Sequence, residues 1–415
     1  VLGALSGLLS NDALTVSNVD VTADVTCTVA CGGAIPLSLG KTILSNLSMT
    51  GDVTNDNAPL IDSGHPISYC PAQITGGLVG AQVLFPLDVT NSDMTGNIEV
   101  NQAGVAPSAQ LIDLLTADFN DDSFVMDLIC GAASNAQGTG GIVGSFISPI
   151  NITGVVETLL QLPAGTFKPF GMNISNSHMT GAVDSNAYSA TGGLAGFIIG
   201  KSTIDSSYAS GNVSNSTFAE MFRTPISSAS TGGLVGRMLG GYEVSGNPIP
   251  IIMFFMGDTQ ILTGQDEWGN NQYDFNTQGM HDAFAAMKIT SGYATISNSH
   301  ASGNVYSSNS AGGLVGNVAG ITKIQKSFAT GDVYGTAAGG LIGSGFNMGS
   351  LLGALNLFSS IELDNTYARG DVYALDDPNT VTFAGGLVGM MAHFGEFKID
   401  HSYATGNVAV KNNAT

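Results

Sequence analysis

Two short phrases alternate along this chain, and their fixed order limits the folds open to it more than any other feature. The first is a GG-L-x-G box: TGGLVG at 75–80, TGGIVG at 139–144, TGGLAG at 191–196, TGGLVG at 231–236, AGGLVG at 311–316, AGGLIG at 338–343 and AGGLVG at 384–389, with a worn copy, CGGAIPL, at 31–37. The second is S-x-A/M-T/S-G-N/D-V, from a worn VDVTADV at 19–25 through LSMTGDV at 47–53 and SFATGDV at 327–333 to SYATGNV at 402–408. Nine copies of the second interleave with eight of the first. Repetition in fixed order means a stacked array in which each unit buries its apolar face on the next. The shortest spacing, Gly303 to Gly331, is 28 residues, too short for most two-helix repeats.

The pattern inside the phrase has period 2, the signature of a strand. Three residues before its first position stand Val16, Leu44, Val89, Ile174, Ile204, Ile296, Ile324, Leu363 and Ile399, all aliphatic and so expected to point inward. The third position is inward as well: Val21, Met49, Met94 and Met179, then Ala209, Ala301, Ala329, Ala368 and Ala404. The second position alternates with these and must face outward; it carries the aromatic run His178, Tyr208, His300, Phe328, Tyr367 and Tyr403. The T-G-N/D step that follows reads as a turn, with Gly permitting positive φ and Asn or Asp bonding its own backbone. Paired glycines in the box serve a tight corner or close approach of successive units. These features predict an all-β fold: a parallel β-solenoid of about nine coils, 1–415 as one continuous domain, roughly 43 Å long at about 4.8 Å per coil.

These residues resemble the GLUG repeat, named for its Gly-Leu-x-Gly core; Gly312–Gly335 match its whole consensus. The family occurs in bacterial and archaeal surface proteins, including large adhesins and some secreted peptidases whose catalytic domain is separate. The resemblance implies a repeat scaffold in an extracellular or cell-surface setting, and carries no activity to this chain.

Composition agrees with a packed, secreted scaffold. Apolar residues make up 43% of the 415, enough to fill a core. The net charge of −21 repels phosphate backbones and anionic membranes, so nucleic acid is excluded as a partner. No run of about twenty apolar residues exists, and no membrane span is expected. Six N-x-[ST] sequons, at Asn46, Asn151, Asn173, Asn212, Asn215 and Asn413, fit an extracellular chain. The four cysteines fall in the first third and form no C-x-x-C motif. They read as two disulfides, Cys27–Cys31 and Cys70–Cys130, or as four buried thiols.

Individuality lies in insertions near 54–74, 99–138, 145–173, 214–230, 237–295 and 344–362. Several look helical: Ser108–Asp118, Val155–Leu162, His281–Lys288 and Leu351–Phe358, which would flank the solenoid. The largest insertion holds PIPIIMFFM and the single tryptophan, so Ile251, Ile252, Phe254, Phe255 and Trp268 are candidates for an interface, or for a lid over the solenoid flank.

Binding and catalysis have thinner support. The aromatic run invites stacking on glycan rings, or stabilises the sheet through cross-strand pairs. The Asp/Asn positions of the turn (Asp52, Asn97, Asn212, Asn304, Asp332, Asp371, Asn407) lack the dense Asp spacing of calcium loops. Asp121, Asp122, Asp376 and Asp377 are further weak calcium candidates on loops. No H-E-x-x-H, G-x-S-x-G or P-loop pattern occurs, and His65, His281, His393 and His401 are scattered. The chain therefore reads as non-enzymatic and without a cofactor. Its last phrase ends at Val408 with no polar cap following, which points to end-to-end self-association into a fibre or to a piece of a longer array.

Overall fold

The computed structural model describes residues 13–27, 30–56, 74–101, 137–148, 150–151, 153–159, 161–163, 166, 170–187, 189–217, 229–246, 260–265, 271–275, 278, 287–346, 360–376, 381–392 and 396–412. The described chain is nearly all β, with parallel strands in stacked sheets. Four sheets dominate, of sixteen, nine, eight and eight strands, and each repeat contributes to them in the same order. The fifth complete repeat shows the scheme. Ser202–Asp205 and Tyr208–Ala209 enter the largest sheet, Val213–Asn215 the second, Ser230–Gly232 the third and Val235–Leu239 the fourth. Every pairing within these four sheets is parallel, and like residues meet like. Ile174, Ile204, Ile296 and Ile324 are successive partners, as are Met49, Met94, Met179, Ala209 and Ala301.

Both inward columns are buried as the period-2 pattern requires. Leu44, Val89, Ile174, Ile204, Ile296, Ile324 and Leu363 are fully inaccessible, and the box leucines Leu78, Leu194, Leu234, Leu314 and Leu341 pack into the same core. The second glycine of each box faces the Met/Ala column. A methyl on Gly313 would stand 2.7 Å from Ala329 Cβ and overlap the Gly340 carbonyl; one on Gly77 would stand 2.8 Å from Met94 Cγ. Glycine is needed there because a neighbouring repeat and the opposite wall both arrive at van der Waals contact.

The turn differs from the sequence expectation. The phrase glycines (Gly51, Gly96, Gly181, Gly211, Gly303, Gly331, Gly370, Gly406) do not have positive φ; a methyl on each would collide with the carbonyl of the glycine or alanine one repeat earlier. The left-handed residue is the one before the phrase. Asn18, Asn46, Asn91, Asn176, Ser206, Asn298, Lys326, Asn365 and His401 all have φ between 45° and 56°. Six of these are Asn, the non-glycine residue that best tolerates this region.

The insertions are less helical than expected where they are described. Thr153–Leu159 is helical, overlapping the expected Val155–Leu162 segment, and packs on the strand Gly241–Gly246. That strand pairs antiparallel with Met287–Gly292, so the end of the expected His281–Lys288 helix is strand. Gln260–Gln265 and Asn271–Phe275 form a further antiparallel pair. Alternation such as YEVSG and KITSG supports strands. Ser108–Asp118 and Leu351–Phe358 lie outside the described residues, as do Ile251, Ile252, Phe254, Phe255 and Trp268.

Cys27 and Cys31 form a disulfide across the corner between Val25–Cys27 and Ala30–Gly32, with Cα atoms 5.8 Å apart. Cys70 and Cys130 lie outside the described residues.

Candidate functional site

Three polar or aromatic columns run along the outer corners of the sheets. The first is the serine that opens most copies of the second phrase. Ser177, Ser207 and Ser299 are buried. The Ser207 hydroxyl donates to Asp205 O at 2.8 Å and accepts the Ser177 amide at 3.2 Å, while the Ser207 amide donates to Ser299 Oγ at 3.2 Å. The same bonds recur at Ser92, Ser177 and Ser299. Each serine thus satisfies a buried amide of its neighbour that the left-handed residue has turned out of the sheet.

The second column is the Asp/Asn of the turn. Its side-chain oxygens accept the amide of the equivalent residue one repeat later: Asn304 on Asn212, Asp332 on Asn304, Asp371 on Asp332 and Asn407 on Asp371, at 2.7–2.9 Å. These oxygens are engaged by backbone. The Asn407 amide holds the Asp371 carboxyl below the usual range, helped by the Tyr373 hydroxyl, which donates to it at 3.0 Å.

The third column is aromatic. His178, Tyr208, His300, Phe328, Tyr367 and Tyr403 stack ring on ring, with centroids 4.7–5.3 Å apart and planes within 11°. The spacing is that of adjacent strands, so the register alone brings the faces together. Within this column a ring face is spent on its neighbour, and edges are left to solvent; burial in the stack lowers the pKa of His300. The Arg369 guanidinium lies 4.8 Å over Tyr367. A second, shorter stack pairs Tyr334 with Tyr373 at 4.9 Å, with Lys411 Nζ 5.1 and 5.3 Å from the two rings.

Among the described residues, one group of three metal-ligating side chains comes together: Asp364, Asp400 and His401. Sequence reasoning left His401 scattered, and the structure corrects this. Asp364 and Asp400 are direct partners on adjacent strands, Ser360–Asp364 and Glu396–Asp400, and the next residue of the second is His401. The signal was present in the alignment of the phrases, since both aspartates stand two residues before the phrase. Asp376 is exposed at the end of Val372–Asp376, a strand and not a loop, and is not part of this group; Asp121, Asp122 and Asp377 lie outside the described residues. Asn151 and Asn215 are buried, which closes those two sequons to a glycan. Among the described residues no helix is long and apolar enough to cross a membrane.

Comparison of the chain with models of known families, with curated proteins and with solved structures finds no match in any of the three.

Proposed function

We propose that this chain is a non-enzymatic extracellular scaffold: a β-solenoid of about nine coils, of the GLUG-repeat type, whose coils stack end to end on a second copy to build a surface fibre. One observation carries the reading. The columns that are buried in interior repeats lie open at both outermost described repeats. Ile399 is 44% exposed where its partner Leu363 is fully buried, Val410 is 63% exposed where its partner Ala374 is buried, and Leu14 and Val19 are 50% and 37% exposed at the other edge. Among the described residues neither outer strand edge has a further partner, and apolar edges of this kind template pairing with a second copy or with more of the same array. Because the columns repeat by translation, one edge is already in register for the other.

The test is negative-stain microscopy with light scattering on purified chain across ionic strength. The net charge of −21 opposes association, so filaments should increase with salt as repulsion is screened. Monodisperse monomer at every ionic strength refutes the fibre. The rival reading, a monomeric glycan-binding adhesin, has the aromatic column as its basis. Stacking of those rings on one another leaves few free faces for a sugar, and a glycan-array signal from monomer would favour the rival.

A further inference from the structure

We propose that Asp364, Asp400 and His401 form a binding site for a zinc-class transition ion. The argument is independent of fibre formation. Parallel register sets Asp364 directly beside Asp400. The residues that follow, Asn365 and His401, are both left-handed, with φ of 51° and 45°, and this bend brings the imidazole back over the two carboxylates. His401 Nδ1 lies 3.5 Å from Asp364 Oδ1 and 3.2 Å from Asp400 Oδ1, and the three donor atoms are all within 4.8 Å of one another.

The 3.2 and 3.5 Å separations from the imidazole are close to those of ligands sharing one ion. Two ligands bound at about 2.1 Å with a tetrahedral angle stand about 3.4 Å apart. A hydrogen bond of 3.5 Å is weak. The donor set also selects the ion: imidazole with carboxylate suits zinc, copper or nickel, whereas calcium takes six to eight oxygens. Three protein donors leave an outer position for water.

The surroundings orient the ligands without blocking them. Asn365 Nδ2 donates to Asp364 Oδ1 at 3.0 Å, and the His401 amide donates to Asp400 Oδ1 at 3.0 Å, each leaving a lone pair free. Lys398 approaches the other oxygen, Asp400 Oδ2, at 3.8 Å. Lys323 is engaged with Glu362 at 3.1 Å. Together these residues line a surface cavity of about 230 Å³, open to solvent for entry of the ion. An ion held there ties the last described strand pair to the repeat before it.

The test is calorimetric titration of the full chain with zinc chloride, after chelation and dialysis, alongside His401→Ala and Asp364→Asn/Asp400→Asn. The expected result is a saturable site whose affinity falls at least tenfold in both variants, and which calcium chloride does not displace. Circular dichroism checks that the variants fold; His401 is 70% exposed, so its loss leaves the core untouched. Hydrogen exchange on the unmodified chain gives a second readout, in which zinc slows exchange at residues 396–404. Zinc affinity unchanged in His401→Ala, or no zinc-dependent protection of 396–404, overturns the proposal.

Discussion

Replacing Gly313 by alanine tests the account of the repeat most directly. The added methyl would overlap the Gly340 carbonyl on one side and lie 2.7 Å from Ala329 Cβ on the other. Methyl groups rest at about 3.5–4.0 Å, so the overlap with Ala329 alone is about 1 Å. Neither obstacle is the far end of a flexible side chain. Relief of the overlap with the Gly340 carbonyl requires the two neighbouring strands to move apart. That strains the amide bonds from Gly313 to Gly339 at 3.1 Å, and from Leu314 and Val315 to Leu341 at 2.9 Å. Overpacking costs about 1–3 kcal/mol and each weakened bond about 0.5–1.5 kcal/mol, so a loss of about 3 kcal/mol or more is expected. Gly40→Ala is the matched control. Nothing lies within 4 Å of its added methyl and its φ is not left-handed, so it should be neutral or stabilising by about 0.4–1 kcal/mol. Urea unfolding followed by circular dichroism reads the difference, and hydrogen exchange should localise the loss to the repeats holding Gly233, Gly313 and Gly340. An unfolding midpoint for Gly313→Ala equal to that of Gly40→Ala would refute close approach as the reason for the second glycine.

Three further outcomes follow from the columns. Ser207→Ala removes the acceptor of the buried Ser177 amide and should cost about 1–3 kcal/mol in urea unfolding, whereas Ser302→Ala at an exposed position should cost under about 0.5 kcal/mol. His300→Phe should leave neutral-pH stability unchanged and improve it under mild acid. Burial depresses the folded pKa of His300 below 6.5, so the unfolded chain takes up its proton first, and wild type loses stability as pH falls from that value through the folded pKa; equal acid sensitivity of the two proteins in pH-dependent melting contradicts this. Asp205→Asn should flatten acid unfolding at lower pH. The Ser297 hydroxyl, with Asn298 and Ser206, holds the Asp205 carboxyl below 3.8 against a smaller opposing effect of burial, so its contribution is whole above that value and is lost as pH falls through the folded pKa.

Much of the fold could be read before any coordinates, because parallel register converts positions in a phrase into neighbours in space. The inward run from Val16 to Ile399 and the drift from Met179 to Ala209 are both found as paired columns. The turn was misjudged because glycine has two uses, and sequence does not distinguish them. In Gly303 it admits the Gly211 carbonyl, while the left-handed bend falls on Asn298 five residues earlier. The recurrent Asn was the available signal, obscured by Ser206, Lys326 and His401 in the same place. In insertions so short, apolar spacing does not separate a helix from a paired strand such as Met287–Gly292.

The same register explains where chemistry can and cannot reside on this molecule. Along the interior repeats the polar side chains of the corners are committed to the next repeat: serine hydroxyls to amides, Asp and Asn oxygens to amides, aromatic faces to aromatic faces. A group so committed has little left for a ligand, which is why the Asp/Asn column, acidic though it is, is a poor calcium site. Freedom returns where a column changes identity from one repeat to the next. Between Lys326, Asn365 and His401 no like-for-like bond carries through, and Asp364 and Asp400 are set side by side as like charges. Adjacent carboxylates repel unless a cation lies between them. Lys398 reaches only the far oxygen of Asp400, at 3.8 Å, so the two carboxylates with the imidazole over them are where a cation is most favoured.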